Sequence, residues 1–190
     1  MKKRNYNCLN TQSYEAPPYS LVPVRDEDKY IIMQMRNDQI YHLRQSVPLT
    51  KVAQELYFAE TVTSLFEEEK PNQILFSFLK NGECIGYGGL VHINRIDRNA
   101  EISFIIKPEL ENDYFYLCWK NFLGMLEKVA FTDLQLHKIF TYAFDIRPKL
   151  YEVLEESNFI REAVLKEHCF FKDKFIDVVI HCKIKRYAHI

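Results

Sequence analysis

Glycine is scarce in this chain: five in 190 residues, four of them inside NGECIGYGG (81–89) and the fifth, Gly124, inside a helical pattern. Outside that one stretch, no glycine-rich loop can be built. Five cysteines, Cys8, Cys84, Cys118, Cys169 and Cys182, are odd in number and never spaced as CxxC. That excludes a disulfide framework and a cysteine zinc site, and suits reduced thiols in a cytoplasm. Six histidines form no HxH or HExxH, so no metal is assigned. A formal net charge of −1 gives no bulk attraction to nucleic acid or to an anionic membrane. No apolar run reaches the ~20 residues of a membrane span. The basic opening MKKRNYNCLN is followed by polar TQSYEAPPYS, which argues against a secretory signal.

What is present is enough apolar material, 47% of residues, for one globular core. Residues 1–18 read as a polar tail ending at Pro17-Pro18, and 19–190 as a single domain. Within it YSLVPV reads as a strand, then DEDKYIIMQMRND as a helix capped by Asp26 or Asp28. A longer helix follows Thr50, with Val52, Leu56, Ala59, Val62 and Phe66 at helical spacing. QILFSFLK and ECIGYGGLVHI flank Asn81-Gly82, whose tolerance of positive φ marks a hairpin. In NAEISFII, Ala100, Ile102, Phe104 and Ile106 share one face, and Glu101 lies on the other. Phe115, Cys118, Phe122, Met125 or Leu126, and Val129 trace a helical stripe. The chain closes with strand LHKIFTYAF, helix PKLYEVLEES and a hairpin around Lys172-Asp173-Lys174. The order β α α β β β α β α β β predicts a mixed α/β domain.

The junction KPELENDYFYL (107–117) stands between a buried strand and a long helix. At such places unpaired helix N–H groups and the helix dipole hold phosphates in many α/β proteins. Here it carries three acids and no glycine. Asn112 is a residue type that tolerates a left-handed backbone, and Asp113 one that caps a helix.

Several phrases, in order, resemble the GNAT acetyltransferase superfamily over roughly residues 19–185, especially its branch of ribosomal-protein N-terminal amine and sugar-nucleotide amine acetyltransferases. LVPVRDEDKYIIMQMRND looks like that branch's opening strand and helix, with Met35 where a tryptophan is usual before Arg36 and Asn37. AEISFIIKPEL looks like its fourth strand, FDIRPKLYEVLEESNFIREA its late segment, and KFIDVVIHCKI its closing strand with Asp177. The resemblance implies a central, mostly antiparallel sheet of about seven strands, splayed between the fourth and fifth, with four helices. It also implies acetyl-CoA as acyl donor.

By the same resemblance, the fourth strand at Phe104, Ile105 and Ile106 pairs with the pantetheine arm. Asn112, Asp113 and Tyr114 lie where the pyrophosphate loop should be, and Asp145 and Lys149 near the cofactor. Tyr151 stands where the family has a general acid, and Glu101 where this branch has a carboxylate base. Arg36, Asn37, His42 and Arg44 fall in the region lining the acceptor side, and arginine forks there suit an anionic acceptor. The family loop reads Gln or Arg, two residues, Gly, one residue, then Gly or Ala. Glu111, Tyr114 and Tyr116 stand at those positions instead. The expected activity is direct N-acetylation of an amino sugar, a sugar nucleotide or a peptide N-terminus, with no nucleic acid or membrane partner and the oligomeric state open. The alternative is a protein of this fold that has lost acyl-CoA binding and serves as an interaction module.

Overall fold

The computed structural model describes residues 4–43 and 45–186. Strands β1 (Tyr14–Ala16), β2 (Tyr19–Pro23), β3 (Ile74–Lys80), β4 (Glu83–Asn94), β5 (Asn99–Ile106), β6 (Lys138–Phe144), β7 (Ile160–Phe171) and β8 (Lys174–Ile184) form one sheet. Their spatial order is β1-β2-β3-β4-β5-β6-β8-β7, so the last hairpin enters with β8 inside and β7 at the edge. Every neighbouring pair is antiparallel except β5–β6, which is parallel. Helix α1 (Lys29–Asp38) and helix α2 (51–67) follow β2; helix α3 begins at Phe115–Glu127 and continues as a π-helical turn, Lys128–Asp133; helix α4 is Pro148–Glu156.

Turn chemistry sets the hairpins where the sequence places them. Asn81 and Gly82 take φ of 51° and 83°, and Lys172 and Asp173 take 47° and 61°, the left-handed pairs that match strand twist. Gly88 serves a different need. A Cβ there would stand 2.1 Å from the Ser103 carbonyl oxygen, so only glycine lets β4 lie against β5 at that point.

The expected stripe of α3 is buried in full, with Phe122 stacked on Phe104 at 3.7 Å and Trp119 edge-on to the same ring at 4.9 Å. The stripe expected for α2 is corrected. Val52 and Leu56 are 66% and 52% exposed and Ala59 is exposed, whereas Gln54, Phe58, Val62 and Leu65 are buried. The helix changes to a π-turn at Tyr57–Val62. Its wider turn rotates one half of the helix against the other, so no single 3.6-residue stripe describes both. Gln54 then docks α2 by donating to the Lys29 carbonyl at 2.8 Å.

Thr50 caps α2, accepting from the Ala53 N–H at 3.1 Å. The side chain of neither Asp26 nor Asp28 caps α1. Asp28 is buried instead, taking two bonds from Arg25 (2.7 and 2.8 Å) and one from the Ser77 hydroxyl (2.6 Å). This fastens the start of α1 to β3 and fixes the helix that carries Arg36.

The expectation of a polar tail over 1–18 is corrected as well. Residues 14–16 form β1, raising the strand count from about seven to eight, and Tyr6, Leu9 and Tyr14 join the core. The Tyr6 hydroxyl donates to the Leu75 carbonyl (3.1 Å) and accepts from the Leu75 N–H (2.9 Å). Leu75 is 2% exposed, so its N–H has no water to turn to when the hydroxyl is removed, while its carbonyl keeps a bond from the Val24 N–H at 3.0 Å. Tyr6→Phe is therefore expected to lower the unfolding free energy by about 1–3 kcal/mol, and Tyr6→Ala by about 3–5 kcal/mol, in urea titrations. Unchanged midpoints for both variants would show that this segment is not part of the fold.

Candidate functional site

Strands β5 and β6 share three paired positions, Asn99↔Lys138, Ala100↔Ile139 and Glu101↔Phe140, and then part. Beyond them β6 stays paired to β8 through Phe144, while β5 runs on to Ile106 beside β4. A cavity of about 210 Å³ fills the opening, walled by Glu101 to Phe104, Thr141 to Phe144, Trp119, Arg36, His42 and Arg147.

Backbone groups on the open side of β5 have lost their strand neighbour. The Lys107 N–H donates back to Ile85 on β4, so Ile106 and, by strand alternation, Phe104 aim their backbone groups into the opening. Gln39, 1% exposed, takes up one of them: its Nε2 donates to the Ile106 carbonyl at 2.7 Å and to the Met35 carbonyl at 3.1 Å. Two side chains on the walls, Trp119 at Nε1 and Thr141 at Oγ1, are buried with no hydrogen-bond partner among the described residues. An indole N–H can only donate and so asks for an acceptor such as an amide or thioester carbonyl; a hydroxyl can serve either way. An extended chain carrying amides fits that set: it would take the β5 edge as a strand does and meet both side chains.

Glu101 sits at the last paired position, 6% exposed, and accepts from His92 Nδ1 at 2.9 Å. His92 reaches it from the irregular stretch of β4, with φ of 51°. His42 lies between Gln39 and Arg147. Arg147 Nη1 approaches its Nδ1 at 3.3 Å, and a guanidinium always donates, so Nδ1 holds the lone pair and Nε2–H donates to Gln39 Oε1 at 3.2 Å. Arg36 also reaches the cavity, its Nε donating to Gln45 Oε1 at 3.1 Å.

Tyr151 donates to Asp145 Oδ1 at 2.9 Å and stacks on His181 at 5.1 Å. Burial first, and Asp145 second, push its pKa up, so the phenol keeps its proton at neutral pH. Arg147 grips Glu111 with bonds of 2.9 and 3.0 Å, and Lys149 adds an ion pair at 3.3 Å.

Glu101, Phe104, Arg36 and His42 thus meet around one cavity, and Asp145, Tyr151 and Lys149 cluster just past the end of β6. Ile105 is buried on the opposite face of β5, across from Tyr87. Asn37 is spent on structure, clamping Leu49 through bonds of 2.7 and 2.9 Å. Arg44 lies outside the described residues. In the junction, two expectations are corrected. Asn112 does not take a positive φ, and Asp113 does not cap α3: the N-cap is Tyr114, and it has no side-chain cap bond. Residues 111–114 form a turn, exposed from Asn112 onward and closed by backbone bonds from Glu111 to Pro108 and from Tyr114 to Leu110, so nothing there requires a left-handed residue.

Sequence reading passed over Gln39, His92, Trp119 and Thr141. A faint signal existed for two of them: Trp119 is the chain's one tryptophan, and Thr141 is a small polar residue between the aromatic Phe140 and Tyr142.

Burial pushes the His42 pKa down to about 3 from its ordinary 6.5, and the adjacent Arg147 charge acts the same way. Between those values the unfolded chain binds a proton that the folded chain refuses. The stability present above pH 6.5 is therefore lost as the pH falls towards 3, at up to about 1.4 kcal/mol per pH unit. His42→Gln should flatten this acid limb in pH-dependent denaturation, and ring NMR of the wild type should show no His42 titration above about pH 5. A ring titrating near its ordinary value would refute the burial and the tautomer together.

The chain matches the family model described as acetyltransferase (GNAT) domain over residues 21–180. A curated relative, spermidine N(1)-acetyltransferase of Vibrio cholerae serotype O1, is 34% identical over 94 residues, or 50% of this chain and 53% of that protein. The chain therefore spans about half the length of that relative. Among solved structures, the spermidine N-acetyltransferase from Vibrio cholerae in complex with CoA and spermine superposes with a TM-score of 0.78 at 22% identity, covering 89% of this chain and 96% of the other. A dodecameric structure of the Vibrio cholerae enzyme gives 0.73 at 24% identity over 89% and 95%. At these identities the superpositions speak for the fold.

Proposed function

The chain belongs to the GNAT acetyltransferase family, and from that premise we propose that it transfers an acetyl group from acetyl-CoA directly to a primary amine of a small molecule. The observation that carries this reading is the opening between β5 and β6, with a backbone edge at Phe104 and Ile106 and, on its walls, Trp119 Nε1 and Thr141 Oγ1, which have no partner among the described residues. These residues fit an extended amide-bearing arm. Acetyl-CoA supplies the activated acetyl group as a thioester.

The chain's own groups supply the rest. Glu101, at the floor of the opening, takes a proton from the acceptor ammonium, and His92 orients its carboxylate. Tyr151 keeps its proton and gives it to the departing thiolate, which requires its bond to Asp145 to be exchanged in that step. Trp119 and the aromatic wall around Phe104 keep water from the reacting atoms.

Two acceptor chemistries have support. The relatives' names favour a polyamine, a departure from the amino-sugar and peptide acceptors suggested by the resemblance. Arg36 favours an amine that also carries an anion, because it stands on the cavity wall with no carboxylate partner among the described residues. Acetylation rates with spermidine and with an amino-sugar phosphate decide between them.

The reading is tested by calorimetry and melting with acetyl-CoA. At a hundredfold excess over the dissociation constant, binding should stabilise the protein by about 2.7 kcal/mol. Tyr151→Phe should lower kcat by roughly 10²-fold or more with cofactor affinity retained. No binding at millimolar acetyl-CoA would overturn the enzyme and leave the interaction module, the reading that Glu111 in place of the loop's Gln or Arg, and Tyr114 and Tyr116 in place of its small residues, would then support.

A further inference from the structure

The loop that should hold the cofactor's pyrophosphate offers Glu111, a carboxylate, and the structure shows what that carboxylate is doing. It is 12% exposed, and it faces Arg147, 11% exposed, whose single nitrogen Nη2 donates to both carboxylate oxygens at 2.9 and 3.0 Å. Lys149 completes the set with an ion pair to the side chain at 3.3 Å and a bond to the Glu111 backbone carbonyl. Two cations from the start of α4 surround one anion from the start of α3.

Phe115 supports both cations independently of Glu111. The Arg147 guanidinium lies 5.2 Å from its ring centre and the Lys149 ammonium 4.4 Å, while the ring is 4% exposed and fixed in the core. An aromatic face attracts cations and holds them in place. Glu111 stands at the sheltered start of the turn 111–114, whose residues 112–114 are exposed, and has no aromatic seat of its own. Arg147, 11% exposed, and Lys149, 43% exposed, thus keep a seat on Phe115 when Glu111 leaves. With Glu111 in place the cluster carries a net charge of +1, and with Glu111 gone +2.

We propose that Arg147 and Lys149, seated on Phe115, are the phosphate-binding site for acyl-CoA, and that Glu111 is an internal anion which occupies this site until the phosphates displace it. The proposal rests on the acyltransfer reading above. It explains how a family member can dispense with loop glycines: the phosphates are met by side-chain cations across the cleft mouth, and backbone amides of the loop are not needed. Arginine's planar fork suits phosphate oxygens as it suits a carboxylate, so one side chain serves both states.

The test compares CoA with pantetheine, which lacks the phosphates, by calorimetry on wild type, Glu111→Gln and Arg147→Gln. Glutamine keeps the size of Glu111 and removes the competing charge. Glu111→Gln should bind CoA about threefold to tenfold more tightly with pantetheine affinity unchanged, and Arg147→Gln, at a residue that also lines the cavity, should lose about tenfold for CoA and much less for pantetheine. Melting curves establish that each variant is folded, and the double variant, which leaves no charge unpaired between these two residues, should still bind CoA more weakly than wild type. CoA binding by wild type with Glu111→Gln unchanged or weaker overturns the exchange and leaves the acyltransfer reading standing. Pantetheine affinity that shifts in parallel with CoA also overturns it, since the effect would then be one of shape. Absence of CoA binding in wild type and Glu111→Gln alike overturns both readings.

Discussion

Everything distinctive about this molecule follows from two parallel strands that pair at three positions and then separate. A backbone N–H or carbonyl turned away from its ladder inside a protein must find another partner or go unsatisfied. Past Glu101↔Phe140, the open side of β5 faces no strand, and the structure answers locally with Gln39, which bridges the Ile106 carbonyl and the last full turn of α1. The opening is thereby kept from closing as ordinary sheet. Its walls are completed by groups that belong to four different elements, so the site exists only in the finished fold.

The charges around the opening form a connected arrangement. Arg147 links the carboxylate of the junction to the neutral imidazole of His42, and His42 links onward to Gln39 and the open strand edge. The mouth of the cleft and its inner edge are thus joined through three side chains. The pair of Arg147 with Glu111 is sheltered more than a surface ion pair, which raises both its strength and the cost of leaving either partner alone. Asp28 shows the same rule in a purely structural setting: its buried carboxylate is stable because Arg25 and Ser77 satisfy it, and the reward is a fixed α1.

How far the sequence disclosed this differs from element to element. The hairpin at Asn81-Gly82 was legible because few dipeptides accept two positive φ values, and α3 because its apolar stripe keeps one period. The fourth strand and the late Leu-Tyr-Glu were legible through their order along the chain. The first eighteen residues were not, because two tyrosines among polar neighbours give no period, and the backbone that Tyr6 bonds, at Leu75 of β3, lies 69 residues away. The stripe of α2 misled because a π-turn leaves no mark in composition. Local phrases pointed to Glu101, which the structure places on the cavity wall, and to Tyr151, which it places just past the end of β6. The cation pair's attachment to Glu111 could not be read, since 36 residues separate Glu111 and Arg147 and their meeting depends on how α3 and α4 converge.

The chain has a single tryptophan, and it stands on the wall of the opening, with its ring edge against Phe104 and its N–H without a partner among the described residues. All of the indole emission of this protein therefore originates at one spot, within van der Waals reach of any arm lying along β5. A carbonyl that bonds to Nε1 changes the polarity felt by the excited ring, and loss of the α3 packing exposes it to water. The protein carries its own optical reporter for the cleft, with no label to attach and no second fluorophore of its kind to subtract.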